Sequence, residues 1–332
     1  METGAGICYN KEARIFSAFK LQFFRKKGSQ MALKIAYICL CHADPAFIAR
    51  AAKTLQYEDD GFFIHVDHKQ DEAPFRAACK ELPHVRFVED PVDNYWGGFN
   101  SIIATMRTFK LALATGDYDR FVILQGQDYP LFSPKEIHNF FEAHPHTEFC
   151  KAKNISTSKK KKDYMKCCGF WLMDMKRAFP MICVRGLFHK FNLLGIKYRP
   201  AVFRGKNEIW QIYHGQAHFA ITRDCAQYVL NVFETNHAYN RYMKHRFPPD
   251  EIYIHTIIHN SPFKENVSKD VIIRRSGERT LLNLTYFEYP YYVAVFTEKE
   301  DYHWLKETGC LFVRKVNSGS PALLDEIDRH IL

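Results

Sequence analysis

Residues 33–40 read Leu-Lys-Ile-Ala-Tyr-Ile-Cys-Leu, a nearly continuous apolar run that decides the fold class. A run of this length without polar alternation is typical of a parallel strand that is buried on both faces. A helical pattern follows at 45–55, and the next apolar run, at 62–67, is a second predicted strand that ends on polar residues. This strand–helix–strand order favours an α/β fold.

The same alternation continues along the chain. Further helices are predicted at 72–80, 99–114, 224–233, from Asp250, at 298–308 and at the end. Further strands are predicted at 85–88, 121–124, 217–221 and 311–314, with short strands near 284–296. We therefore expect a mostly parallel central sheet with helices on both faces.

Residues 31–332 are predicted to form one domain, preceded by an extension at 1–30. The stretch 169–214 is aromatic and basic, without a clear period, and predicts no defined element.

Composition limits the classes of protein to consider. The 332 residues are 47% hydrophobic and 15% aromatic, which excludes global disorder. The formal charge of +9 predicts an anionic partner such as a nucleotide phosphate, a lipid head group or nucleic acid. None of the ten cysteines forms a Cys-x-x-Cys pair, so buried thiols in a reducing compartment are favoured over disulfides or a zinc site.

The first thirty residues leave two interpretations open. They lack the apolar core of a signal peptide, and the chain contains no run of eighteen apolar residues that would span a membrane. Aromatic residues at 15–24 are followed by the basic run 25–27, a mixture that can lie on an anionic membrane surface. A plain extension before the domain accounts for the segment equally well.

Polar side chains follow the predicted strands at the end where parallel sheets bind ligands. Asp67 ends the second strand, and Asp128 follows the strand at 121–124 in the run Gln-Gly-Gln-Asp. Such residues can hold a ribose or a sugar hydroxyl, although strand ends are also polar for solvation alone. An Asp-x-Asp motif, which holds a divalent ion in many sugar-transferring enzymes, does not occur at this place.

A glycine turn precedes the helix at 99–114. Trp96-Gly97-Gly98 would let the backbone approach a ligand closely, and the helix N-terminus favours an anion. The alternative is an aromatic-anchored turn in which Asn100 or Ser101 caps the helix.

Two charged positions in the second half are candidates for chemistry. Glu251 follows Pro248-Pro249-Asp250, so one carboxylate can cap a helix while the other projects into a cleft as a general base. Lys315 follows a predicted strand, where a cation would neutralise a leaving diphosphate. Taken singly, each is explained as well by a helix dipole or a surface pair.

Together and in this order, these segments resemble the core-2/I-branching β-1,6-N-acetylglucosaminyltransferase family, glycosyltransferase family 14, which also includes peptide O-xylosyltransferases. The likeness is carried by residues 64–67 (Ile-His-Val-Asp), Trp96-Gly97-Gly98 with Ser101, residues 124–131, residues 215–223, Pro249-Asp250-Glu251, and residues 311–315. They span nearly the whole chain, from about residue 33 to 316.

The resemblance implies a GT-A-type nucleotide-sugar-binding fold, a UDP-sugar donor, a glycan or glycolipid acceptor, and inversion at the anomeric carbon. It also implies catalysis without a metal or other cofactor, because basic side chains stabilise the diphosphate. Carried over by motif, the catalytic base is Glu251, the donor-binding residues are His65, Asp67, Trp96, Gly97, Ser101, Asp128 and Lys315, and the acceptor side includes Gln216 and His218.

The sequence departs from the family pattern in its diphosphate-binding arginine. Members that act on mucin cores have this arginine before the last helix and strand, where residues 291–294 read Tyr-Tyr-Val-Ala. Arg274, Arg275, Arg279 or the lysine run at 159–162 are the candidates to replace it.

No membrane anchor or disulfide pattern is visible, which predicts a bacterial-type cytosolic member with peripheral contact to the inner membrane face, acting in surface or capsular polysaccharide synthesis. N-acetylglucosamine is the expected sugar, and xylose is the alternative. A non-catalytic basic protein that binds membranes or nucleic acid is a second alternative. Nucleic acid is disfavoured because the lysines are concentrated in one short loop.

Overall fold

The computed structural model describes residues 33–159, 167, 171–176, 202–206, 208–270, 272–273, 279–280, 282–288 and 295–332. Its strands are β1 (Ile35–Cys41), β2 (Gly61–Val66), β3 (Val85–Phe87), β4 (Arg120–Gln125), β5 (Asp128–Pro130), β6 (Ala152–Asn154), β7 (Val202–Arg204), β8 (Ile209–Gln211), β9 (Tyr213–Gly215), β10 (Ala220–Thr222), β11 (Ile272–Ile273), β12 (Arg279–Thr280), β13 (Thr285–Tyr286) and β14 (Phe312–Arg314). Its α-helices are α1 (Pro45–Thr54), α2 (Ala73–Ala78), α3 (Asn100–Thr115), α4 (Pro134–Ala143), α5 (Arg223–Thr235), α6 (His237–Met243), α7 (Tyr253–His259), α8 (Asp301–Glu307) and α9 (Pro321–Ile331). Two 3-10 helices cover Pro249–Glu251 and Pro262–Asn266.

The central sheet has the strand order β10-β4-β1-β2-β3. Strands β4, β1, β2 and β3 are parallel, and β10 pairs with β4 in the antiparallel direction. The prediction of a mostly parallel sheet flanked by helices is therefore confirmed. Strand β10 begins at Ala220, three residues after the predicted start of that strand, and closes one edge of the sheet.

Strand β1 shows why its apolar run is continuous. Ile35 and Tyr37 belong to the core cluster on one face of the sheet, while Ala36 and Ile38 belong to the cluster on the other face. All four side chains are at most 1% exposed. Helices thus cover both faces, as parallel sheets require.

A second, three-stranded sheet has the order β13-β14-β5. Strand β14 pairs antiparallel with β5, so that Arg314 lies opposite Asp128. Because β5 follows β4 after only two residues, this small sheet places β14 beside the carboxyl end of β4.

The helix predicted to begin at Asp250 begins later. Residues Pro249–Glu251 form a single 3-10 turn, and α7 starts at Tyr253, after an N-cap at Ile252 that makes no side-chain hydrogen bond. The backbone N–H groups of Glu251 and Ile252 donate to Pro248 and Pro249 instead (3.3 and 3.1 Å). Glu251 therefore lies in a tight turn before the helix.

Within the described part of the chain, buried free thiols occur, as the sequence predicts, at Cys39, Cys41, Cys79, Cys150, Cys225 and Cys310. Among the described residues, no helix is long and apolar enough to cross a membrane. Residues Leu33–Leu332 cluster as one compact unit, and the extension at 1–30 lies outside the described residues.

Candidate active site

The carboxyl ends of three adjacent strands form the edge on which the candidate site lies. The N–H of Asp67, just beyond β2, donates to the carbonyl of Cys41 (2.9 Å). On the other side of β1, the N–H of Gly126 donates to the carbonyl of Leu40 (2.9 Å). Because neighbouring strands lie about 4.8 Å apart, the chain segments at Asp67 and Gly126 are about 10 Å apart across the end of β1.

Asp67 is held by the loop that leads to α3. Its carboxylate accepts hydrogen bonds from the Lys69 ammonium (2.6 and 2.7 Å) and from the N–H of Asn94 (3.2 Å). Burial raises the pKa of Asp67, but these hydrogen bonds outweigh burial and lower the pKa below its ordinary value. The Lys69 ammonium also lies over the Tyr95 ring, 4.3 Å from its centroid. Asp67 and Lys69 thus form a charged clamp at the start of the glycine turn.

His65 lies on β2, two residues before Asp67, and supports the same loop. It is 1% exposed, and its Nε2 accepts a hydrogen bond from the N–H of Val92 (3.0 Å). Burial lowers the pKa of His65 to about 4, so the ring is neutral near pH 7. The structure therefore gives His65 a supporting position beneath the loop that carries Trp96.

The glycine turn is capped by a carboxylate that the sequence did not indicate. Asp174 accepts hydrogen bonds from the N–H groups of Phe99 and Asn100 (both 3.0 Å). A Cβ atom at Gly98 would overlap the Asp174 carboxylate, so a larger residue there would displace this cap. The anion at the N-terminus of α3 is thus a protein side chain. Ser101 is buried and donates to the carbonyl of Gly98 (2.8 Å), which stabilises the turn.

The glycine turn packs directly against the segment that leads to Glu251. Gly97 has φ +73°, and a Cβ there would overlap the Phe247 ring. The Phe247 ring contacts both Trp96 and Trp171, with centroid distances of 5.0 and 4.9 Å. Trp96 is 60% exposed. We call these three rings, Trp96, Phe247 and Trp171, the aromatic ledge. Phe247 lies four residues before the predicted base Glu251.

Asp128 anchors the small sheet to the central one. Its fully buried carboxylate is 2.7 Å from Arg314 Nη1 and 3.2 Å from His218 Nε2, and it accepts a hydrogen bond from the N–H of Gln125 (2.7 Å). Burial raises the pKa of Asp128, but His218 and Arg314 outweigh it and keep the pKa below its ordinary value. The group is therefore an ionised carboxylate whose charge is balanced by the Arg314 guanidinium.

Lys315 follows Arg314 at the end of β14 and is half-buried. Its pKa is lowered by burial and by the neighbouring Arg314 charge. Its carbonyl accepts the N–H of Phe296, and the next N–H, of Val316, donates to Gln127 (2.9 and 3.1 Å). Lys315 is thus fixed beside the loop of Asp128. Of the other candidate cations, Lys159 is exposed, whereas Lys160–Lys162, Arg274, Arg275 and the side chain of Arg279 lie outside the described residues.

Glu251 is paired with a histidine. Its Oε2 lies 2.8 Å from His214 Nε2, and the two side chains are 26% and 24% exposed. His214 belongs to β9, where the adjacent Gly215 packs so closely on His255 that a Cβ would lie 2.5 Å from that ring. His255 in turn bonds to the carbonyl of Gln216 (2.7 Å). The backbone directly after His214 is therefore held in place by His255.

The segment from His214 to His218 connects the two carboxylates. His214 contacts Glu251 and His218 contacts Asp128, and four residues of chain extend over at most about 14 Å. Gln216 lies between them and is half-buried. Glu251 and Asp128 are therefore linked through one short segment of chain, and Gln216 lies in the middle of that segment.

An Asp-x-Asp sequence does occur elsewhere, at Asp117-Tyr118-Asp119. It precedes β4 and so lies at the opposite edge of the sheet. There Asp119 accepts the N–H of Lys34 (3.0 Å), and Asp117 pairs with Arg223 (3.2 Å). Both carboxylates fix the amino end of the strand.

Sequence reasoning missed His214, Asp174 and the role of Arg314. His214 directly precedes the recognised segment 215–223, so its position was the one available signal. Asp174 lies in the stretch without periodicity, where nothing in the sequence indicates a helix cap 75 residues from its partner. Arg314 lies in the recognised segment 311–315, but nothing in the sequence indicates its ion pair with Asp128.

Comparison with known families agrees with this arrangement. A family model described as Core-2/I-Branching enzyme matches residues 35–277. No curated protein matches the sequence. Since the match covers more than half of the 332 residues and includes the strand edge, the glycine turn and Glu251, the chain belongs to the Core-2/I-branching enzyme family of glycosyltransferases.

Proposed function

We propose that the protein transfers N-acetylglucosamine from a UDP-sugar to a hydroxyl group of a glycan or glycolipid, with inversion at the anomeric carbon and without a metal ion. The observation that carries this proposal is the Glu251–His214 pair, which stands partly exposed near the strand edge. Family membership supports a sugar donor and a glycan acceptor. The donor sugar, the base and the metal independence are our proposals, and xylose is the second candidate sugar.

In the proposed reaction Glu251 is the general base. The acceptor oxygen attacks the anomeric carbon, the bond from that carbon to the diphosphate oxygen breaks, and its electron pair leaves with UDP. The acceptor proton passes to the Glu251 carboxylate. His214 holds Oε2 of that carboxylate at 2.8 Å and so fixes the direction in which it accepts the proton.

The charges near β14 support stabilisation of the diphosphate by side chains. Asp128 is balanced by Arg314 at 2.7 Å, so this carboxylate is arranged as a partner of a protein cation. Lys315 directly follows Arg314, and we propose that its ammonium stabilises the leaving diphosphate. Burial and the neighbouring Arg314 charge lower the pKa of Lys315, and the attraction of a bound dianion to the ammonium would offset both effects.

The aromatic ledge supports a sugar-binding surface next to the base. Ligand sites combine aromatic walls with a few placed polar groups. We propose that Trp96 contacts the donor sugar, that Trp171 extends the surface towards the acceptor, and that Gln216 and His218 contribute polar groups on the acceptor side. Asp67 and Gly97 shape the donor pocket through the clamp and the turn. His65 and Ser101 contribute by supporting that turn.

We further propose that the acceptor is presented at the cytoplasmic face of a membrane, as in surface polysaccharide synthesis. The net charge of +9 supports peripheral attraction to anionic lipids.

The test is release of UDP and formation of glycoside with UDP-N-acetylglucosamine, UDP-xylose and UDP-glucose, each with and without EDTA. We expect turnover with one donor, unchanged by EDTA, and a β-linked product by the anomeric proton coupling. No turnover with any UDP-sugar would reject the enzymatic proposal in favour of a binding protein. Activity abolished by EDTA and restored by Mg²⁺ or Mn²⁺ would reject the metal-free mechanism, and an α-linked product would reject inversion.

A further inference from the structure

A cluster of metal-ligating side chains lies between the last two helices. His303 belongs to α8, and Glu326 and His330 belong to α9. One potential ligand atom from each lies within 4.8 Å of the other two. We propose that these three residues bind a divalent transition-metal ion, with Zn²⁺ the best match, and that the ion clamps α8 to α9. This proposal is independent of the proposed transferase activity.

The donor set favours this class of ion. Two imidazoles and one carboxylate suit Zn²⁺ and its first-row neighbours, whereas Mg²⁺ and Ca²⁺ prefer oxygen alone. Three protein ligands leave the fourth position to water. A tetrahedral ion with bonds of about 2.0–2.1 Å holds its ligand atoms about 3.3 Å apart, so the cluster must contract by somewhat more than 1 Å.

The local geometry permits that contraction. His330 Nε2 already lies 3.0 Å from Glu326 Oε1, across one helical turn. The remaining adjustment falls on His303, an exposed side chain that can change rotamer. The His330 ring is stacked on Tyr302, with centroids 4.7 Å apart and planes 16° from parallel, which fixes its plane.

The two helices are a rigid base for such a site. Tyr302 and Leu305 of α8 and Leu323 and Ile327 of α9 are at most 2% exposed and belong to one core cluster. Ligand pairs on packed helices keep their spacing better than pairs on loops. One neighbouring charge opposes the ion, because the Arg329 guanidinium pairs with the second oxygen of Glu326.

The position of the cluster indicates a structural role. Helix α9 begins six residues after Lys315, and His330 lies about 14 Å further along its axis, at 1.5 Å per residue. The chain between α8 and α9 contains β14 with Arg314 and Lys315. An ion at this cluster would close the loop that carries these cations, so metal binding stabilises the fold around β14 without entering the transfer reaction.

The test is titration of the full-length protein with Zn²⁺ alone, by calorimetry and by thermal unfolding. We expect one bound ion and a higher Tm. The variants His303→Gln and His330→Gln should each weaken binding by about tenfold or more and abolish the Tm rise. Arg329→Gln should bind Zn²⁺ more tightly, because it removes the competing charge.

The matched control is His237→Gln, which removes an exposed histidine from α6 and should bind Zn²⁺ as the natural protein does. Equal binding by the natural protein and the double variant His303→Gln/His330→Gln would overturn the proposal, as would no binding at all. Circular dichroism of each apo variant establishes that the fold is retained. The double variant also serves in the EDTA assay above, where its metal response is free of any contribution from this cluster.

Discussion

The Glu251–His214 pair predicts a specific loss of rate when the histidine is removed. His214→Ala deletes the group 2.8 Å from Glu251 Oε2, while both side chains are about a quarter exposed (24% and 26%). A hydrogen bond to a charged group contributes about 1.5–3 kcal/mol. Since about 1.4 kcal/mol corresponds to tenfold in rate, kcat should fall by about tenfold to hundredfold, with partial exposure favouring the lower figure.

The assay measures kcat and KM for the UDP-sugar together with the Tm. Because His214 acts through Glu251 and is not assigned to the donor, kcat should fall while KM for the donor changes little. His214→Gln places an amide donor near the same point and should recover part of the lost rate. An Ala variant with unchanged kcat, or a loss confined to KM, would refute the positioning role. If kcat of the Gln variant were as low as that of the Ala variant, a hydrogen-bond donor to Glu251 at this position would not account for the rate.

Three further perturbations follow from the same structure. Gly97→Ala should lower the Tm by more than the control Gly309→Ala and should reduce kcat. Both glycines have φ near +72°, so each substitution adds about 1–2 kcal/mol of backbone strain, but only at Gly97 would the new Cβ overlap a ring, that of Phe247. Equal Tm losses in the two variants would contradict this prediction. Asp128→Asn leaves the Arg314 charge buried without its carboxylate partner and should lower the free energy of unfolding, measured by urea titration, by about 3–5 kcal/mol. A loss below about 1 kcal/mol would argue against this pairing. The pKa of His65 is lowered to about 4 in the folded protein, so the unfolded chain binds a proton there more readily. The contribution of His65 to the free energy of unfolding is therefore complete above about pH 6.5 and falls by about 2 kcal/mol by pH 5. Over this range the free energy of unfolding of His65→Gln should decrease by correspondingly less than that of the natural protein.

The sequence predicted the layout of the sheet well because periodicity and strand-end polarity are local signals. The apolar run at 33–40 and the polar tip at Asp67 each reflect burial and edge position, which the chain encodes residue by residue. The family resemblance added Glu251, whose own neighbours in sequence do not distinguish a base from a helix-dipole acid. Its turn was less predictable, because two prolines leave open whether a 3-10 turn or an α-helix follows.

The contacts that define the candidate site are of longer range and could not be predicted. Asp174 caps a helix 75 residues earlier, and Arg314 meets Asp128 across 186 residues. Such pairs depend on how two sheets dock, which no local pattern records. Asp174 also corrects the simple expectation that the N-terminus of α3 awaits a ligand anion, since a protein carboxylate already accepts two of its N–H groups.

The most direct test of the proposed function compares Glu251→Gln with Asp250→Asn in transfer and in UDP-sugar binding. Glu251→Gln keeps the size and the hydrogen-bonding oxygen of the side chain but cannot accept the proton, so kcat should fall by about a hundredfold or more, in the range attributed to general-base catalysis. Donor affinity should be unchanged, and Asp250→Asn should keep most of its activity. A Glu251→Gln enzyme that transfers sugar at the natural rate would contradict the assignment of Glu251 as the catalytic base.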